Sequence, residues 1–175
     1  MSEPDVIKLS PDPTRFGRNF VQSEAFKALF QEGMELVEDT AAYLDGPGRE
    51  ESKDLPRPVT VAYASESMRL TTRLMQVASW LLLQRAVAEG EMSMEQAVAE
   101  KRRIRLASPE TTTSIAEFEA LPRRLRDLIG LASRLHARVM HLENLISEVE
   151  TAPVPAANPV AAQQSLLALA FGHAG

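Results

Sequence analysis

The chain has no cysteine among its 175 residues. Disulfides and thiolate chemistry are therefore excluded, and a reducing cytoplasm is the simplest setting. Long hydrophobic runs are also missing. The longest uncharged stretch in the middle of the chain, Leu74 to Gln84, falls short of the roughly 20 apolar residues that cross a bilayer. Met1 to Val6 lacks a basic segment leading into an apolar one, so neither a secretory signal nor membrane insertion is expected. A net charge of −5 argues against nucleic-acid binding through the whole surface. No glycine-rich phosphate loop, nucleophile elbow or zinc-ligand spacing occurs. On these grounds the expectation is a chain without catalytic residues, cofactor or metal.

What is present is helical. Residues 1–20, with Pro4, Pro11 and Pro13, read as a mobile arm ahead of a helical body at 21–150. Phe26, Leu29, Phe30, Gly33, Val37, Ala41 and Leu44 recur at helical spacing and predict a first helix over about 23–44. A charged Pro/Gly loop, Gly46 to Pro58, follows. The second helix is expected over about 59–89, stopped by Gly90. Ser93 with Gln96 three residues on is a capping-box pattern, opening a short helix over about 94–106 that Ser108-Pro109 ends. The last helix, about 122–150, carries two sevenfold series: Leu125, Ala132, Val139, Ile146 and Leu128, Leu135, Leu142, Val149. Ile129, Leu131 and Leu145 widen that stripe beyond a two-stranded seam. No convincing strand pattern appears, so the expected fold is all-α: an antiparallel three-helix bundle with one short extra helix and flexible termini.

On a helical wheel, the second helix divides into two sets. Tyr63, Ala64, Met68, Leu70, Thr71, Leu74, Met75, Val77, Ala78, Leu81 and Leu82 fall on one broad arc, read as core. Glu66, Arg69, Arg73, Gln76 and Gln84 fall on the other, read as solvent-facing. Trp80, Leu83 and Val87 lie among the polar set as a second apolar stripe. Exposure would forgo roughly 1.5–3 kcal/mol for each large side chain. Either a partner covers the stripe, most simply a second copy in a homodimer, or the short helix or a loop folds over it.

Charged groups form two possible partner faces. Glu32, Glu35, Glu38 and Asp39 line one side of the first helix, and Lys101, Arg102 and Arg103 are the core of the densest basic cluster. The plainer reading of both is a solvated or ion-paired helix face, and the basic cluster lacks the interleaved aromatics of a nucleic-acid site. His136 and His141 are five apart, about 140° around a helix, and cannot share a metal. A helical phosphorelay module centred on His136, or a small DNA-binding module, is the competing class. Residues 151–175 contain no Asp, Glu, Lys or Arg; Pro153, Pro155 and Pro159 lead to an apolar end with Leu166, Leu167, Leu169 and Phe171. That end reads as a docking motif, or as a frayed terminus returning to the bundle.

The stretch ESMRLTTRLMQVASWLLLQRAV, Glu66 to Val87, followed by Glu89 to Met92, resembles the alphaproteobacterial regulator-of-CtrA-degradation family. The resemblance extends from about Phe16 to Glu150. It implies a non-enzymatic adaptor for the protease ClpXP in cell-cycle control. Such an adaptor links a protease primed by CpdR to cargo including CtrA, and binds further adaptors such as PopA. It also implies a dimerising three-helix bundle with a flexible C-terminal tail, gathered at the cell pole.

Overall fold

Serine caps, proline starts and one glycine stop set the limits of most helices. The computed structural model describes residues 19–104 and 113–151. The Ser23 hydroxyl accepts the Phe26 N–H at 3.2 Å and opens α1, Glu24–Asp45. Its buried residues are Phe26, Leu29, Gly33, Leu36, Thr40 and Tyr43, in alternating steps of three and four. Leu36 and Tyr43 thus take places the spacing argument had given to Val37 and Ala41. The expected loop at 46–58 is largely helical: α2, Pro47–Glu51, runs into a 3-10 turn, Ser52–Asp54. The Tyr43 hydroxyl donates to Glu51 Oε2 at 2.7 Å and anchors that turn to α1.

The longest helix, α3, spans Arg57–Ala88 with a proline in its first turn, where the missing N–H leaves no bond unmade. It ends in a Schellman motif. The Gly90 N–H donates to the Val87 carbonyl at 3.2 Å and the Glu91 N–H to the Ala86 carbonyl at 2.9 Å. Gly90 has φ 75°, the left-handed backbone that glycine adopts without strain. The capping box of Ser93 and Gln96 forms and opens α4, Met94–Arg103. A second capping box, Ser114 with Glu117, opens α5, Ile115–Glu119, a short helix not anticipated from the sequence. The backbone N–H and hydroxyl of Ser114 hold the Glu117 carboxyl below its usual range. The final helix, α6, spans Arg123–Thr151.

The three long helices pack on one another. Glu32 pairs with Arg138 at 2.6 Å and Asp39 with Arg124 at 3.3 Å, so α1 and α6 run antiparallel. Arg73 donates to Ser133 at 2.7 Å and Trp80 to Glu143 at 2.6 Å, so α3 and α6 run parallel, where the sequence predicts an antiparallel bundle. Leu125, Leu128, Ala132, Leu135 and Val139 of α6 are fully buried. Leu70, Leu74, Val77 and Leu81 of α3 and Phe26, Leu29 and Leu36 of α1 complete the centre. A Cβ added at Gly33 would lie 2.6 Å from Leu81 Cδ1, so this glycine admits the Leu81 side chain against α1. The chain is all-α, with no strand among the described residues. None of the described helices is long and apolar enough to cross a membrane.

Candidate protein-binding surface

Helix α3 buries one apolar face and exposes another. Val61, Met68, Met75 and Leu82 are 62%, 72%, 59% and 52% exposed. They stand seven residues apart, which drifts only about 20° per step around an α-helix, so they form one stripe along the axis. The stripe is about 31 Å long at 1.5 Å per residue. Exposed Ala64 and Thr71 and half-buried Ala78 fill the intermediate positions. Large residues every seventh position with small ones between are the pattern of a helix prepared to meet another helix.

This arrangement corrects the wheel-based assignment. Met68, Met75 and Leu82, placed on the core arc, face outward, whereas Glu66 and Gln84, placed on the solvent arc, are 5% and 7% exposed. Trp80 and Leu83 are no outward interface: they are 1% and 5% exposed within a single chain, and Val87 is half-buried. The cover is intramolecular. Helix α4 packs on α3, with Ala97 buried. The Glu143 carboxylate draws three elements together. It accepts the Trp80 indole N–H at 2.6 Å, lies 3.3 Å from Lys101 Nζ of α4, and takes the Ser147 hydroxyl at 3.1 Å. Burying an indole requires a partner for its N–H, and this carboxylate provides one. Glu66 is held similarly, accepting from Arg69 and from the Thr113 hydroxyl, the latter at 2.6 Å. Sequence spacing puts Glu66 among polar neighbours but cannot show that the chain returns over it.

Between α3 and α4 lies a groove with an apolar floor of Met75, Leu82, Leu83, Ala86, Met92 and Ile104. Its two charged lining residues, Glu100 and Arg103, pair with each other at 3.1 Å. The outward stripe therefore continues into a concave surface at its C-terminal half.

The two charged faces are largely engaged inside the chain. Glu32 and Asp39 bind α6 arginines, and Glu35 accepts from Gln31 at 2.8 Å, while Glu38 is exposed. Lys101 meets Glu143 and Arg103 meets Glu100, while Arg102 is exposed. His136 is 7% exposed, inside the packing of α6 rather than on a reactive surface. No group of three or more His, Cys, Asp or Glu placed to hold a metal occurs among the described residues. Residues 1–18 of the N-terminal arm, Leu106, the Ser108-Pro109 break and the tail residues Leu166, Leu167, Leu169 and Phe171 lie outside the described residues. Phe20, expected in that mobile arm, is instead helical and packs on Phe26 with ring centroids 5.6 Å apart.

Comparison with curated proteins finds no match. A family model described as "Protein of unknown function (DUF1465)" matches residues 17–171. Among solved structures, the crystal structure of RcdA from Caulobacter crescentus CB15 is similar, with 52% identity and a TM-score of 0.60. The similarity covers 74% of this chain and 96% of that one. The all-helical fold, the span of the family match and this identity converge: the chain belongs to the DUF1465 family and to the RcdA family that the Glu66–Val87 stretch resembles.

Proposed function

We propose that this chain is a non-enzymatic adaptor in regulated proteolysis, helping to deliver CtrA-type regulators to the ClpXP protease. The observation that carries the reading is the 52% identity with RcdA across nearly all of that protein's structure. The physical character of the molecule supports it: a helical body with an exposed apolar stripe on α3 is suited to holding other proteins. An adaptor acts by raising the local concentration of cargo at the protease, so each of its contacts can be weak and separable. In this reading the partners are ClpXP primed by CpdR, the adaptor PopA and cargo including CtrA, in the cytoplasm and concentrated at the cell pole. Self-association as a homodimer uses the outward stripe Val61, Met68, Met75 and Leu82 in place of Trp80 and Leu83. The burial of His136 and the internal pairing of Lys101 and Arg103 weigh against phosphorelay and DNA-binding roles.

The test is degradation of purified CtrA by ClpXP with CpdR and PopA, with and without this chain. Several-fold faster loss of CtrA is the expected result, and an unchanged rate refutes the adaptor role. Met68→Glu/Met75→Glu should lower the acceleration and shift sedimentation toward the monomer.

A further inference from the structure

The α3/α4 groove is open, apolar and close to the end of the described chain. Helices α3 and α6 run parallel, and Trp80 of one meets Glu143 of the other. Eight residues beyond that pair α3 ends at Ala88 and α6 at Thr151 (88 − 80 and 151 − 143). The chain outside the structure therefore departs from the same end of the molecule as the groove. We propose that the C-terminal segment Leu166–Phe171 of this same chain docks into the α3/α4 groove, over Met75, Leu82 and Met92.

Three features select this occupant. The first is reach. Residues 152–165 form a 14-residue tether, with a typical span of about 20 Å if flexible and roughly 46 Å at full extension. The groove runs from Thr72 to Ala86 along α3, about 21 Å at the helical rise. Ala86, at the near end of the groove, lies two residues before the end of α3, at the end of the bundle where α6 stops at Thr151. A tether of this reach therefore holds the segment near the groove at an effective concentration on the order of millimolar. The second is charge. Residues 151–175 carry no Asp, Glu, Lys or Arg, and Glu100 and Arg103 in the groove wall already satisfy each other. Docking thus strands no charge in an apolar setting. The third is composition: four of the six residues from Leu166 to Phe171 are large and apolar, facing a floor of leucine, methionine and isoleucine. The family match ends at residue 171 and so includes this segment.

The docked tail covers Met75 and Leu82 and leaves Val61 and Met68 open, so half of the outward stripe becomes conditional on tail release. The inference rests on groove, tether and charge and needs no protease or cargo, but a docked tail and a dimer across the whole stripe exclude each other.

The absence of native cysteine makes disulfide closure a clean test on the full chain. Leu169→Cys is combined either with Leu82→Cys in the groove or with Gln31→Cys, which lines a second depression beside Arg85 at the same end of the molecule. In dilute solution the 82/169 pair should close within one chain about tenfold faster than the 31/169 pair, read on non-reducing gels. Adding Leu167→Asp and Phe171→Asp should return closure to the 31/169 rate. Equal rates, faster closure at Gln31, or a disulfide that forms only between two chains each overturns the proposal.

Discussion

Helices α3 and α6 are the same kind of object, long and rich in leucine, yet only α6 revealed its buried face in advance. In α6 the apolar residues concentrate on one side: Leu125, Leu128, Ala132, Leu135 and Val139 are fully buried, as their spacing requires. In α3 large apolar residues lie all round the helix, with Leu70, Leu74, Val77 and Leu81 inward and Val61, Met68, Met75 and Leu82 outward. Periodicity then loses its power to choose, because a stripe facing a neighbour and a stripe facing water have the same composition. The lesson is that periodicity can locate an amphipathic helix without orienting a doubly apolar one. For such a helix, orientation is set by which of its neighbours are present.

The sharpest way to break this comparison uses adjacent leucines of α3. Leu81 is fully buried and Leu82 is 52% exposed. Leu81→Ala should cost about 3 kcal/mol in urea unfolding, whereas Leu82→Ala should stay within about 0.5 kcal/mol. Equal effects would return both leucines to one surface. Gly33→Ala comes next. Its new Cβ meets Leu81, so a loss of about 1–3 kcal/mol is expected from overpacking; a neutral result would mean the side chain moves aside without penalty.

Trp80→Phe retains most of the buried ring but removes the N–H given to Glu143, leaving the carboxylate with Lys101 and Ser147. A loss of about 1–2 kcal/mol is expected. The native Trp80 fluorescence should be blue-shifted at every protein concentration, because the cover is in the same chain. A red shift on dilution would restore Trp80 to an intermolecular surface.

The smallest effect concerns α1 and its turn. Burial, and then the Tyr43 hydrogen bond to Glu51, push the Tyr43 phenol above its ordinary range. The unfolded chain therefore loses this proton first, near pH 10, and between there and the higher folded value the folded state binds more protons. Stability should fall as pH rises through that window and be unaffected by this group below it. Tyr43→Phe should flatten the alkaline side of a stability-against-pH curve; an unchanged slope would assign the decline to other groups.

Much of the fold was legible locally. Gly90 marked the stop of α3 because a left-handed terminal residue favours glycine, and Ser93 with Gln96 marked α4 because the cap is made by side chains three residues apart. The Pro and Gly content of residues 46–58 predicts a loop. Yet Pro47 sits in the first turn of α2 and Pro58 in that of α3, where proline starts a helix. Short α5 was missed because Ser114 and Glu117 follow a threonine run that reads as a break. The candidate surface was harder. No sequence pattern picks out Val61, and a helical wheel puts Met68, Met75 and Leu82 inside and Trp80 and Leu83 outside, the reverse of their burial.

The family stretch, the helical class, the caps and the apolar seam of α6 were determined by the sequence, since each depends on residues within a few turns of one another. Tertiary structure alone decided that Glu143 and Lys101 close over Trp80, and that Glu66 is buried beside Thr113. These contacts join residues 42 to 63 positions apart (143 − 101, 113 − 66 and 143 − 80). No local pattern encodes them, because burial is a property of the neighbour that arrives, and on α3 that neighbour left the methionine and leucine stripe outside.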